Sequence, residues 1–197
     1  SDVCSSDLHE NEIAQSECAT HAEPMARYWL HNGHLTLHGP EGAIKMSKSL
    51  GNVITIRDLL KTVPRDVLRL CYLEAHYRSP LVWHTELLPS ALAAIDRLYQ
   101  AKEVVEEVLT TGQEAPLKNL GPTGEELYAL ATSFPTRFRA AMDDDFNTAA
   151  AVGLLFELVR TVNRFGNDKK KRRNGIAAVR PVASAFALVE QIGRAHV

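Results

Sequence analysis

From Pro89 onward, Leu92, Ile95, Leu98/Tyr99, Lys102, Val105 and Val108/Leu109 recur at the spacing of one helix face. This pattern predicts a helix of about six turns at 3.6 residues each. A helix that long with one apolar stripe must bury it against other helices, and the sequence after it offers them. A stretch carrying Val152, Leu155/Phe156, Val159 and Val162 repeats the pattern, and a last helix is expected from about Ile176. Between them lie a Pro/Gly-rich connection from Gly112 to Gly124 and two shorter helical stretches broken near Pro135. Gly166-Asn167 ends the 148–165 helix, whose aromatic residues are read as core, and Lys169–Arg173 is read as a charged interhelical loop. Antiparallel helices joined by short loops make a bundle.

The region before the bundle is mixed. Residues 10–20 read as a short helix. Tyr28-Trp29-Leu30 and Leu35-Thr36-Leu37 read as strand-like pieces on either side of an Asn32-Gly33 turn, and His38–Ala43 as a further loop. Lys45-Met46-Ser47-Lys48-Ser49-Leu50-Gly51-Asn52 is polar and glycine-terminated, again a loop. Thr55 with Asp58 three residues on is a capping signal for a helix through Leu59 and Leu60. Pro64 suits the start of another helix, with Val67, Leu68, Cys71 and Tyr72 on one side, which Ser79-Pro80 stops. The fold class expected is mainly α: a small mixed α/β region followed by an antiparallel helical bundle.

Charge and cysteine content narrow the function classes. The 22 Lys+Arg against 24 Asp+Glu give a net charge of −2, so no global basic field draws in nucleic acid. The balance is uneven: residues 1–60 carry 4 basic and 8 acidic groups, and the remainder 18 and 16, so a polyanion site must be a local patch in the later part. Cys4, Cys18 and Cys71 show neither CxxC spacing nor an even count, which favours a reducing cytoplasm over a disulfide framework. No apolar run is long enough to span a bilayer.

The feature with most chemical content is Lys45-Met46-Ser47-Lys48-Ser49. Two lysines three apart can neutralise a triphosphate while charge builds on departing pyrophosphate, two hydroxyls can donate to phosphate oxygens, and Gly51 lets the loop bend. By composition alone such a stretch is a solvated loop. The literal string, however, matches the KMSKS signature of class I aminoacyl-tRNA synthetases. His9-Glu10-Asn11-Glu12-Ile13-Ala14-Gln15-Ser16, Arg27–Gly33, His76-Tyr77-Arg78-Ser79-Pro80-Leu81 and Met142–Thr148 resemble four further segments of the cysteinyl-tRNA synthetase family, in the same order. The resemblance covers residues 9 to about 191.

That resemblance implies ATP, cysteine and tRNA(Cys) as substrates, with Mg2+ on the nucleotide, in a monomeric cytoplasmic ligase. It implies that Lys48 contacts ATP and that Lys45, Met46, Ser47 and Ser49 help to hold the phosphates. It also implies a catalytic Zn2+ held by two cysteines, a histidine and a glutamate, thiolate being a donor that suits zinc. Glu12 takes the glutamate position, but Leu8 stands where the first histidine belongs, His9 matches the second, and Cys18 and Cys71 do not match the cysteines. This chain is therefore not expected to bind the zinc, nor to form adenylate unaided. His31-Asn32-Gly33-His34 mimics the family's HIGH motif but sits on a turn with no long helix after it, so it is read as a decoy.

The division expected is 9–80 for the end of the catalytic domain and stem-contact region, and 81–191 for the anticodon-side bundle. Residues 1–8 and 192–197 resemble translations of a sequencing adapter on opposite strands and are expected to be artefact. Asp143-Asp144-Asp145 is read as capping the helix that begins near Thr148 rather than holding magnesium. Arg78, with Tyr77, is a candidate for tRNA contact by phosphate pairing or stacking. The Lys169–Arg173 run is a second such candidate. Two alternative functions stand beside it: the ligase that joins cysteine to an amino-sugar in mycothiol synthesis, which shares the signature, and a non-catalytic RNA-binding protein, to which the Lys45/Lys48 pair would be unnecessary.

Overall fold

A computed structural model describes residues 3–21, 24–39, 42–45, 54–84 and 86–194, with the side chains of 3–8, 43, 45 and 191–194 left out of that description. Its contacts divide the chain into two compact units, Ser1–Asn32 and Gly33–Val197.

The first unit holds α1 (Val3–Thr20), which begins several residues before the helix expected at 10–20. It ends where His21 turns to a positive φ of 52° while its N–H still bonds the Glu17 carbonyl. The Glu17 carboxylate accepts from the Met25 N–H at 3.1 Å, fastening the chain as it leaves the helix. Tyr28-Trp29-Leu30 is not a strand: no ladder partner lies beside it among the described residues, and Tyr28 is 85% exposed. A strand without a partner leaves its backbone groups to water, so β-forming side chains alone do not make one.

The second unit opens with a three-stranded sheet in the order β2-β1-β3, formed by β1 (Leu35–Gly39), β2 (Gly42–Lys45) and β3 (Leu81–Trp83). β1 pairs antiparallel with β2, from Thr36 opposite Lys45 to Gly39 opposite Gly42, and parallel with β3, from Leu35 opposite Leu81 to Leu37 opposite Trp83. The expected loop at 38–43 is therefore corrected at both ends, since His38-Gly39 and Gly42-Ala43 belong to strands. Gly42, at φ 123°, adopts a backbone closed to other residues. Gly33 begins this unit: its N–H bonds the Tyr77 carbonyl at 2.6 Å, and the Leu81 N–H bonds the His34 carbonyl at 2.9 Å.

α2 (Ile56–Leu59) is capped as its sequence predicts. The Thr55 hydroxyl accepts from the Asp58 N–H at 3.1 Å and donates to the Asp58 carboxylate at 2.6 Å. α3 (Arg65–Leu73) starts after Pro64 and buries Val67, Leu68, Leu70 and Cys71. Leu70 takes the place expected of Tyr72, which stands at the edge beside Trp83 with ring centroids 6.2 Å apart. The helix stops at Leu73, six residues before Ser79-Pro80. These residues, with Trp83 and Ala91, form a small core beneath the sheet.

The bundle is built from α4 (Leu87–Thr111), α5 (Gly121–Asp143), α6 (Thr148–Gly166) and α8 (Ile176–Arg194), with the short α7 (Lys169–Asn174) between the last two. α4 begins two residues before Pro89 and runs about a turn longer than the six turns predicted. Its buried face is Ala91, Ala101, Val105 and Val108, while Leu92 and Tyr99 are about half exposed. Alanines let neighbouring helices approach closely, which a pattern weighted toward large side chains misses. α5 is one helix through Pro135, not two. Leu127, Ala131, Phe134 and Phe138 are buried on both sides of the proline, each large side chain contributing roughly 1.5–3 kcal/mol, against about 3 kcal/mol for the proline. α5 also claims Gly121–Gly124, so the connection expected over 112–124 is shorter and contains a 3-10 turn at Leu117–Leu120. Lys169–Asn174 is a helix rather than a loop, because the Asp168 carboxylate accepts from the N–H groups of Lys170 and Lys171 at 3.0 and 3.2 Å.

Candidate functional site

β2 is an edge strand, and Lys45 is its last residue, in register with Thr36 on the central strand. The described backbone resumes at Ile54, and the next residue, Thr55, caps α2. The described elements on either side are thus a sheet ladder and a capped helix. Met46, Ser47, Lys48 and Ser49 lie between them, outside the described residues, as does the side chain of Lys45. The sheet's central strand is in turn held by β3, whose Trp83 is buried against Val67, Leu68 and Cys71.

A second cluster joins two segments far apart in sequence. The Tyr77 hydroxyl donates to Asp145 Oδ1 at 2.7 Å, Arg78 Nε lies 2.6 Å from Asp145 Oδ2, and Arg78 Nε also donates to the Tyr77 hydroxyl at 2.9 Å. His76 Nε2 is 3.9 Å from the same carboxylate, and the His76 ring stacks on Tyr77 at 5.0 Å. The Tyr77 hydroxyl, then the Arg78 guanidinium, hold the Asp145 carboxyl below its usual pKa, and the same contacts raise that of Arg78.

The acids at 143–145 do not cap α6. Asn147 does, its side chain accepting from the Ala150 N–H at 3.0 Å. Asp145 and Phe146 both have positive φ, 51° and 54°, and this pair reverses the chain and turns the Asp145 carboxylate toward Arg78. Asp145 and His76 were legible only as members of two separate sequence blocks. Nothing in local pattern links residues 69 apart.

In the first unit the rings of His9, Trp29 and His31 meet: His9 lies 4.6 Å from His31 and 5.8 Å from Trp29 between centroids. His31 thus belongs to an aromatic contact, and the HNGH string is followed by strand β1, not by a helix. Glu12 is exposed on α1, Cys18 is exposed, and Cys71 is buried in the core under the sheet. Among the described residues no three His, Cys, Asp or Glu side chains converge. A zinc site of two thiolates, an imidazole and a carboxylate does not fit this donor set. Among the described residues no helix is long and apolar enough to cross a membrane.

Comparison with known proteins assigns both halves. Residues 5–93 match the family of tRNA synthetases class I (C) catalytic domains, and residues 137–190 match the DALR domain. The cysteine–tRNA ligase of Geotalea uraniireducens is 46% identical over 176 residues, covering 87% of this chain and 35% of its own length. That of Geobacter sulfurreducens is 46% identical over 172 residues, covering 87% and 34%. That of Symbiobacterium thermophilum is 40% identical over 188 residues, covering 93% and 38%. The chain therefore spans about a third of the length of the curated relatives it matches. The Tyr77–Arg78–Asp145 cluster ties the first matched segment to the second. By this sequence identity and these two domain matches, the chain belongs to the cysteinyl-tRNA synthetase family of class I aminoacyl-tRNA synthetases.

Proposed function

We propose that this chain supplies, within a cysteine–tRNA ligase, the loop that neutralises the phosphates of ATP and the helical surface along which tRNA(Cys) lies. The observation that carries the reading is the literal Lys45-Met46-Ser47-Lys48-Ser49 string, which begins at the last residue of edge strand β2 and precedes the Thr55 cap of α2 in the chain.

In that reaction ATP and cysteine form enzyme-bound cysteinyl-adenylate and pyrophosphate, and the cysteinyl group then passes to the terminal ribose of the tRNA. Lys45 and Lys48 balance the charge that grows on pyrophosphate as it departs, Ser47 and Ser49 donate to phosphate oxygens, and Met46 spaces the two lysines. Mg2+ supplies further charge neutralisation when bound with the nucleotide. No step runs through zinc here, because Glu12 is alone among the implied ligands. The region 9–80 serves the catalytic end and the acceptor stem, and 81–191 the remainder of the tRNA. Arg78 meets a tRNA phosphate; its side chain, 61% exposed beside Asp145, supports that role. The enzyme works as a cytoplasmic monomer.

Titration of the purified chain with labelled tRNA(Cys) transcript, against a non-cognate tRNA, tests this. Preferential binding of tRNA(Cys) is expected, together with no cysteine-dependent ATP–pyrophosphate exchange. Exchange becomes measurable when residues 9–191 replace their counterpart in the Geotalea uraniireducens ligase, and Lys48→Ala in that chimera should lower it by about 10²–10³, the scale for one charge-stabilising donor. A chain that binds no tRNA, or a folded chimera indifferent to Lys48, overturns the reading. Absence of tRNA binding would favour the amino-sugar ligase.

A further inference from the structure

The basic block at 169–173 is divided by its own helix. At 100° per residue, Lys169, Lys170 and Arg173 fall within an arc of about 100° on α7, while Lys171 and Arg172 point the other way. The contacts follow the same division. Lys171 lies 3.6 Å from Asp168 and 3.4 Å from the Thr123 hydroxyl, and Arg172 pairs with Glu107 of α4. Both are half-buried. Lys169, Lys170 and Arg173 are exposed, and none has a carboxylate partner among the described residues.

Acidic side chains nearby do not neutralise this face. Glu107 is taken by Arg172, Glu114 is bound by both terminal nitrogens of Arg180 at 3.1 and 3.2 Å, and Asp168 is occupied by the α7 N–H groups. The three cations border an open cleft of about 480 Å3, completed by Gln113 and Asn174. The cleft is fixed in place: the Gln113 N–H bonds the Arg173 carbonyl at 2.6 Å, and Glu114 bridges to Gly175. α7 carries no apolar residue, so it lacks the face that an interfacial membrane helix inserts.

We propose that the Lys169–Lys170–Arg173 face of α7 is a phosphodiester-backbone contact for RNA, reading charge rather than sequence. The inference rests on the tRNA-binding function above and adds to it a specific surface on the bundle, remote from the KMSKS loop in sequence. Three such cations release counterions on binding, and each neutralised phosphate steepens the salt dependence of affinity by about 0.7–0.9 in a log–log plot.

The test is fluorescence anisotropy of labelled tRNA(Cys) transcript with the 197-residue chain and with K169A/K170A/R173A, over a salt series. The triple variant should bind more weakly at low salt, with a slope shallower by about 2–3. K170A alone should lower it by about 1 and decides the matter if the triple variant melts early. An unchanged slope in both variants overturns the proposal but leaves the tRNA reading standing. If the unmodified chain binds no tRNA at low salt, both fall. Tighter binding to phosphatidylserine vesicles than to tRNA, lost in the triple variant, would assign the face to a membrane and overturn RNA as its occupant.

Discussion

The hydroxyl of Tyr77 donates to the carboxylate of Asp145 at 2.7 Å, across 68 residues of sequence. With Arg78 on the same carboxylate, this bond joins the catalytic-domain segment to the α5–α6 turn within the DALR segment. A hydrogen bond to a charged group is among the stronger polar contacts, but this one is exposed to water, so its main effect is to fix geometry. Thr148, the first residue of α6, adds a contact from its hydroxyl to the Ala75 carbonyl at 3.4 Å.

The pH dependence of stability should report this joint. Asp145 has a folded pKa below its ordinary value of 3.8, so it stabilises the fold above that value. The contribution is lost as pH falls through the depressed folded pKa. Chemical unfolding of the chain and of Asp145→Asn at several pH values should show a gap that is present near neutrality and closes in strong acid. A gap of constant size from neutral to strongly acidic pH would mean that the charge on Asp145 is irrelevant to stability.

Gly33→Ala should loosen the attachment of the sheet. A Cβ at this position would lie 2.2 Å from the Ser79 carbonyl oxygen and 2.8 Å from that of Arg78, both backbone atoms. Relief requires separating residue 33 from 77–79, where the Gly33 N–H bonds the Tyr77 carbonyl. A cost of about 1–3 kcal/mol is expected, as for other overpacked sites. Amide exchange should rise most at Leu35–Leu37 and Leu81–Trp83. Unchanged protection there would show that the sheet does not depend on this contact.

How far the sequence foretold these features depends on whether the cause was local. The Thr55–Asp58 cap and the start of α8 at Ile176 are set by nearby residues and were readable. The continuity of α5 through Pro135 was not, because burial of Phe134 and Phe138 by other helices outweighs a local breaker. The helix at 169–174 was missed for a different reason: five successive cations look like a solvated loop until Asp168 is seen to cap them. At the candidate site, Lys45 and Lys48 are legible as a literal motif, though Lys48 and the Lys45 side chain lie outside the described residues. The role of Asp145 was not, since it is defined by a partner 67 residues away.

The cysteines should separate cleanly by reactivity. Cys71 is 1% exposed, its thiol donates to the Leu87 carbonyl at 3.7 Å, and burial followed by the nearby Glu74 charge raises its pKa. Thiolate is the reacting species, so both access and ionisation protect it. Cys18 is exposed on α1. Under native conditions iodoacetamide followed by peptide mass mapping should label Cys18 rapidly and Cys71 only on unfolding. Comparable labelling of both would show that the core beneath the sheet opens readily.

Phe146 is held in a conformation that suits it poorly. At φ 54° it occupies the left-handed region, which costs an ordinary L-residue about 1–2 kcal/mol. It is also 54% exposed, so little apolar burial offsets that cost. The conformation is imposed from outside: the Phe146 N–H bonds the Met142 carbonyl at 3.0 Å, the Asn147 N–H bonds the Ala141 carbonyl at 3.1 Å, and Asp145 is drawn to Tyr77 and Arg78. Asparagine adopts this region readily, whereas a β-branched residue does so least well. Phe146→Asn should therefore raise stability by about 0.5–1 kcal/mol, part of the left-handed penalty, and Phe146→Val should lower it. Thermal melts of the two variants would decide. If asparagine destabilised as much as valine, the phenylalanine ring, rather than the backbone reversal, would be what the joint between α5 and α6 requires.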